Sequence, residues 1–180
     1  MSLINDIINQ LNAGLTGVIH FDAKFGLSVL RPNQKESQWM YYGGSGELVP
    51  INYDAYSSVL FWTRNGGVTI GPASTNINLN PCRNMVNVSV PLRLIYVGRR
   101  DQFKCDSLGA EDTIGMQIAA TLYDYELVLP NNFKNSEIIA AGYDREATIN
   151  LPFEYVSGRV NFNLTLQTFT DCIGQICEQP

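Results

Sequence analysis

The chain has 180 residues, of which 45% are hydrophobic and 16% charged, so one domain with its own core is expected. Its 12 basic and 17 acidic side chains give a net charge of −5, which argues against a dedicated nucleic-acid binder, because phosphate contacts need clustered Lys and Arg. Neither a basic segment leading into an apolar core nor a run of about 18 apolar residues is found, so neither a signal peptide nor a membrane span is predicted.

The first predicted element is an amphipathic helix over residues 2–14. Ser2 is a suitable N-cap and Gly14 a suitable C-terminal cap. Between them, one helical face carries the apolar residues Ile4, Ile7, Ile8 and Leu11. Because so short a helix is marginal in isolation, this face must dock on the protein's own sheet or on a neighbouring chain.

Short strands are predicted next, with the sequences GVIHF, FGLSVLR, SQWMYY, ELVPIN and YSSVLFWTRNGGVTIGP. In the last of these, Asn65 and Gly66 stand between two β-rich runs, which predicts a hairpin with a type I′ turn. The glycine-rich stretch 43–46 lacks the Lys-Ser/Thr ending of a phosphate-binding loop, and a mobile connection is expected there.

The longest predicted strand covers residues 85–97, where an apolar or aromatic side chain stands at every second position from Val86 to Tyr96. At about 3.3 Å per residue it would span about 43 Å, so it must bend, cross the whole sheet or project from it. Pro91 cannot donate a hydrogen bond to a neighbouring strand, which favours an edge position or a bulge near the middle.

A second helix is predicted within residues 109–126. Glu111 and Asp112 in its first turn complement the helix dipole. Its apolar face contains Ile114, Ile118, Thr121, Leu122 and Tyr125. Further strands are expected at 138–141, 148–155 and 158–172.

The strand at 158–172 has two different faces. Val160, Phe162, Leu164 and Leu166 alternate with Asn161, Asn163, Thr165 and Gln167. The apolar set is predicted to be core, and the uncharged polar set to face water, a partner subunit or a ligand. Together the elements predict a β-rich α+β single domain over residues 1–180, with mostly antiparallel sheet and both helices packed on it.

No catalytic, cofactor-binding or metal-binding residues are predicted. His20, the only histidine, stands between two apolar residues, which is typical of a structural position, and no Gly-x-Ser-x-Gly motif occurs. The cysteines lack the paired spacing of a structural zinc site and are expected to be free thiols of a cytoplasmic protein: Cys82, Cys105, Cys172 and Cys177.

The order of elements resembles a group of viral proteins. The amphipathic N-terminal helix, the small strands, the long strand VNVSVPLRLIYVG, the late helix EDTIGMQIAATLYDY and the closing strand RVNFNLTLQTFTDC are together similar to small neck and tail-completion proteins of tailed bacteriophages. The nearest likeness is to a tail terminator. It is one of order and texture, so it assigns no role to individual residues.

The resemblance implies a structural virion protein of the tail or neck, not an enzyme, that needs no cofactor. Such a protein assembles in the cytoplasm of the host bacterium into a ring, commonly a hexamer. It contacts the tail tube and the neck or connector proteins, and it contacts no membrane. DNA passes through the ring without specific binding. The candidate subunit contact then comprises the polar set Asn161, Asn163, Thr165 and Gln167, together with Asn65 and Gly66.

Three alternatives stay open at this stage. The first is another phage position, such as tail tube, head completion or baseplate. The second is a monomeric β-sandwich that binds a carbohydrate or peptide through aromatic side chains, with Trp39, Tyr41, Tyr42 and Trp62 as candidates. The third is a small enzyme, which would have to use His20 or the thiols.

Overall fold

A computed structural model describes residues 3–17, 19–32, 37–43, 46–72, 85–103, 109–123, 125–131, 133–144 and 154–169. The elements in chain order are α1 (Leu3–Gly14), β1 (Ala23–Pro32), β2 (Ser37–Tyr42), β3 (Leu48–Pro50), a 3-10 turn (Tyr53–Ala55), β4 (Ser58–Arg64), β5 (Thr69–Pro72), β6 (Met85–Arg99), α2 (Ala110–Leu122), β7 (Phe133–Asp144) and β8 (Tyr155–Phe169). The predicted α+β single domain, with mostly antiparallel sheet and both helices packed on it, is confirmed.

One eight-stranded sheet has the order β3-β2-β1-β4-β6-β8-β7, and β5 pairs with β6. All of these pairs are antiparallel except β1 with β4, which is parallel. Strand β6 pairs with β8 along its full 15 residues. The long strand therefore crosses the sheet, which is one of the three arrangements that its length allowed.

The predicted hairpin at Asn65 and Gly66 is wrong. Strands β4 and β5 do not pair with each other, because both pair antiparallel with β6, from Arg64 opposite Leu92 to Thr69 opposite Ser89. Residues 65–68 are thus an interruption in a strand that continues in the same direction. The neighbours of β4 explain this outcome, since β1 pairs with one edge of β4 and β6 with the other, which leaves β4 no free edge for a returning strand.

Pro91 lies at this interruption. Its carbonyl oxygen accepts a hydrogen bond from the Asn65 N–H at 3.0 Å, so the side of Pro91 that lacks an N–H faces the gap between β4 and β5. On its other side, β6 keeps an unbroken register with β8, in which Pro91 stands opposite Asn163. A central strand therefore holds a proline without losing pairing to β8.

The core lies on one face of the sheet, called the helix face because both helices pack there. The predicted core residues of β8 are confirmed, since Val160, Phe162, Leu164 and Leu166 are each at most 1% exposed. Helix α1 contributes Ile4, Ile7, Ile8 and Leu11 to the same cluster, so it docks on its own sheet. The Trp62 indole N–H on β4 donates to Asn12 Oδ1 of α1 at 2.7 Å, and this buried bond fixes the helix on the sheet.

The strand predicted at 17–21 is wrong for the residues described there. Gly17 has φ +95°, and the Ile19 N–H donates to the Leu15 carbonyl, so a turn follows α1 directly. Ile19 and Phe21 are nevertheless buried. Alternation over so short a run identified the buried side chains but not the backbone conformation. Of the strand predicted at 148–155, residues 148–153 lie outside the described ranges, and Tyr155 begins β8.

Helix α2 lies over β7 and β8. Its buried residues include the predicted Ile114, Ile118 and Leu122, whereas Tyr125 lies beyond the end of the helix. Tyr96 of β6 is 1% exposed and donates its hydroxyl hydrogen to the Glu111 carbonyl in the first turn of α2. Burial raises the pKa of Tyr96, and the nearby charges of Glu111 and Asp112 add to the effect.

Candidate interaction surface

The face of the sheet opposite the helices carries polar side chains on β6 and β8 and is called the polar face. In the β6–β8 register, Asn87 stands opposite Gln167, Ser89 opposite Thr165, and Arg93 opposite Asn161. Directly paired residues of an antiparallel sheet point to the same side. The polar face therefore comprises Asn87, Ser89 and Arg93 of β6 with Asn161, Asn163, Thr165 and Gln167 of β8.

All four polar residues predicted on the closing strand lie on this face, with different exposure. Asn163 is exposed, Asn161 and Thr165 are half-buried, and Gln167 is only 8% exposed. The Gln167 side-chain amide donates to Asn87 Oδ1 at 3.4 Å, which links the two strands. Asn163 is therefore the member of the set that is most accessible to another molecule.

Asn65 joins this face through a cluster with Arg93 and Asn161. The Asn65 side-chain amide donates to Asn161 Oδ1 at 3.2 Å, and the Arg93 Nε–H donates to the same oxygen at 3.0 Å. The Arg93 Nη2 group also donates to Asn65 Oδ1. These bonds connect the strand interruption to β6 and β8. Three residues that are far apart in sequence therefore form one polar cluster.

Gly66 follows this cluster and is exposed with φ +149°, a backbone conformation that side chains rarely adopt. A Cβ at Gly66 would lie 3.3 Å from Pro91 Cγ. The glycine thus lets the chain pass close to Pro91 before β5 begins. Its role is local backbone geometry next to the polar face, and it is not the tip of a projecting hairpin.

Arg93 was missed when the candidate residues were chosen from sequence. The available signal was the alternation of β6 itself, since Asn87, Ser89 and Arg93 fall in the same phase, opposite to the buried Val88, Val90 and Leu92. What the sequence did not supply was the pairing of β6 with β8. That pairing doubles the width of the polar face.

Aromatic side chains cover the polar-face side of the sheet near β1, β2 and β4. Ile51, Phe61 and Ile95 are buried there, and Phe25, Trp39, Tyr41 and Tyr53 pack against them. The ring centres of Trp39 and Phe61 are 5.2 Å apart, and those of Phe25 and Tyr41 are 4.4 Å apart. These rings form a second small core.

The four aromatics proposed for a carbohydrate or peptide site do not come together. Trp62 is fully buried on the helix face, whereas Trp39 and Tyr41 belong to the small core on the opposite side. Tyr42 is 40% exposed. A cleft of about 380 Å³ lies elsewhere, between residues 125–127 and the 136–138 part of β7, and the exposed Glu126 and Glu137 lie at it.

The side chain of His20 is 76% exposed, and its Nε2 lies 3.3 Å from Asp22 Oδ1. The other Asp22 oxygen accepts a hydrogen bond from the Ser57 N–H at 2.9 Å, which holds the start of β1 beside β4. Asp22 thus serves as an anchor between two strands. The four cysteines lie outside the described ranges, and the described residues contain no group of three or more His, Cys, Asp or Glu suited to a metal ion.

Neither helix in the described part of the chain is long and apolar enough to cross a membrane. In comparisons with known proteins, no family model and no curated protein sequence matches this chain. The polar face is accordingly assessed on its own geometry and chemistry.

Proposed function

We propose that this protein is a structural component of a tailed-phage virion, a ring-forming tail terminator or tail-completion protein that joins head and tail. The observation that carries the proposal is the polar face, a sheet surface built mainly of amides and hydroxyls, on which Asn163 is exposed and Asn161 and Thr165 are half-buried. Such groups lose water at a lower free-energy cost than carboxylates and ammonium groups do. A face of this kind suits contact with other protein surfaces.

A ring made of one kind of chain needs two different patches that meet head to tail. A stable contact normally buries about 800 Å² on each partner. The polar face, with Asn163 exposed near its centre and Asn65 at its margin, supports one such patch or the wall of the central channel. The net charge of −5 suits a channel through which DNA must slide, since it disfavours tight binding of the phosphates.

The test is to delete the gene from its phage and to image the particles by electron microscopy. Filled heads beside unjoined tails, or tails of uncontrolled length, are expected, and a plasmid copy of the wild-type gene should restore normal virions. Normal virions without the gene would refute the proposal. If those virions were intact but failed to bind their host, the binding-module alternative would be favoured instead.

A further inference from the structure

The two helices differ on the sides that they turn away from the sheet. Helix α1 presents Asp6 and Asn9 to solvent. The outward side of helix α2 is mixed: the apolar Met116 and Ala120 are exposed beside the polar Asp112, Thr113 and Gln117. The exposed Tyr123 directly follows the last residue of the helix, and Ala119 is half-buried at the edge of the core. Met116 is 52% exposed and Tyr123 is 62% exposed.

The inward side of helix α2 carries the buried Ile114, Ile118 and Leu122, so Met116 and Ala120 are apolar residues that the protein's own core does not use. The apolar surface continues onto β7, where Tyr143 is 40% exposed. Tyr143 packs closely on Gly115 of α2, since a Cβ atom added to Gly115 would lie 3.1 Å from the Tyr143 Cβ. Met116, Ala119, Ala120, Tyr123 and Tyr143 are together called the α2 patch.

The margin of the α2 patch is acidic. Asp112 lies exposed one turn before Met116, and Glu126 lies exposed three residues after Tyr123. Helix α2 contains no Lys or Arg. A partner that covers this patch should therefore supply apolar side chains with positive charge beside them.

The same chain carries a surface of that description at the far end of β1 and β4. Arg64 stands opposite Leu92, a core residue, so its side chain lies on the helix face. Leu30 pairs with Trp39, which lies on the opposite face of the sheet. Because successive residues of a strand point to opposite faces, Arg31 also lies on the helix face. Both arginines are exposed, and neither is paired with a carboxylate of the described part of the chain.

Ile70 adds an apolar group to these arginines. It is 54% exposed and pairs with Val88, another core residue, so it lies on the same side of the sheet as Arg64. Arg64 and Ile70 stand opposite residues of β6 that are four positions apart, which separates them by about 13 Å. Arg31, Arg64 and Ile70 are called the basic flank.

We propose that the α2 patch of one copy binds the basic flank of the next copy, and that this is the head-to-tail contact of the ring. The inference rests on the self-assembly in the proposed function. Two different, complementary surfaces on one chain are what a cyclic assembly requires. A helix face of this length covers about 200 Å², so the α2 patch is the apolar centre of a larger contact of about 800 Å².

The test compares two alanines that lie exposed near the ends of their helices, Ala120 of α2 and Ala13 of α1. The full chain and the variants Ala120→Asp and Ala13→Asp are studied by sedimentation velocity over a concentration series, with circular dichroism to check folding. The wild-type chain and Ala13→Asp should associate alike. Ala120→Asp should associate at least about tenfold more weakly, because it buries an unpaired charge beside an acidic margin.

A mixing experiment tests the identity of the partner surface. A double variant, Arg31→Glu with Arg64→Glu, retains the α2 patch but loses the basic flank, and Ala120→Asp has the opposite defect. At a concentration at which each variant alone is monomeric, an equimolar mixture should form species of two chains and no larger ones. A mixture that remains monomeric would exclude the basic flank as the partner.

Two outcomes would overturn the inference as a whole. One is a wild-type chain that stays monomeric at every concentration, and the other is an Ala120→Asp chain that associates like the wild type. The proposed function has a separate test in the gene deletion. Normal virions after gene deletion would refute that function, whatever sedimentation shows. If gene deletion gives unjoined tails but Ala120→Asp associates like the wild type, only the α2 contact is refuted.

Discussion

The two faces of the sheet are built from the same strands but have different roles. On the helix face, alternate residues of β6 and β8 are almost fully buried under α1 and α2. On the polar face, Asn87, Ser89 and Arg93 of β6 and the four residues Asn161, Asn163, Thr165 and Gln167 of β8 carry amides, hydroxyls and one guanidinium group. Free energy of folding is therefore concentrated on the helix face, which leaves the polar face available for contacts with other molecules.

The largest effect is expected from Phe162→Ala on the helix face. Phe162 is 1% exposed and its ring centre lies 5.6 Å from that of Trp62, so truncation leaves a cavity next to a buried indole. The free energy of unfolding should fall by about 3–5 kcal/mol, as measured by urea denaturation. Asn163→Ala, one residue further along β8 on the polar face, is the control and should change it by less than about 0.5 kcal/mol. Equal losses in the two variants would contradict the division of roles.

A smaller effect is expected where α1 meets the helix face. Asn12→Ala removes the acceptor of the Trp62 indole N–H and leaves a buried donor without a partner. The free energy of unfolding should fall by about 1–3 kcal/mol. Asn9→Ala on the exposed side of the same helix is the matched control and should be neutral or slightly stabilising, since alanine favours helix more than asparagine does. If both variants unfold alike, the Trp62–Asn12 bond is not what holds α1.

An effect of about 1 kcal/mol with a characteristic pH dependence is expected from Tyr96→Phe. At pH 8 the variant loses the bond from the tyrosine hydroxyl to the Glu111 carbonyl. Burial raises the pKa of Tyr96 in the folded chain, so above about pH 10 the unfolded chain releases this proton first and the wild type loses stability. The difference between wild type and variant should therefore shrink from pH 8 to pH 11. Tyr123→Phe, at an exposed position, is the control at pH 8 and should change the free energy of unfolding by less than about 0.5 kcal/mol.

Long periodic segments were predictable from sequence, and their pairing was not. The alternation in β6 and β8 identified both strands and the core side of β8, because a two-residue period over many positions has one structural meaning. Helix α1 was equally clear from Ile4, Ile7, Ile8 and Leu11. The parallel pairing of β1 with β4 had no local signal, since register depends on contacts between residues distant in sequence.

Local turn chemistry misled at Asn65 and Gly66 for the same reason. The dipeptide permits a type I′ turn, but β1 and β6 occupy both edges of β4, and β5 pairs instead with the next part of β6. Within the polar face, the four residues of β8 were found from their alternation, and Asn65 was included for a different reason than the one the structure shows. Arg93, which bonds to both Asn65 and Asn161, required knowledge of which strand lies beside β8.

The smallest effect on stability is expected from Asn163→Lys, which separates folding from assembly on the polar face. Asn163 is exposed and stands opposite Pro91 and the 41% exposed Ile139, so a lysine at this position can extend into water. The free energy of unfolding should therefore change by less than about 0.5 kcal/mol.

The same substitution should disturb assembly. If the polar face forms a subunit contact, the added charge must be buried, and if it lines the channel, the charge attracts DNA phosphates. In both arrangements a plasmid carrying Asn163→Lys should fail to restore normal virions to the gene-deleted phage. Asn9→Lys, the same substitution on the solvent side of α1, should restore them. A stable Asn163→Lys protein that restores normal virions would remove the polar face from both roles.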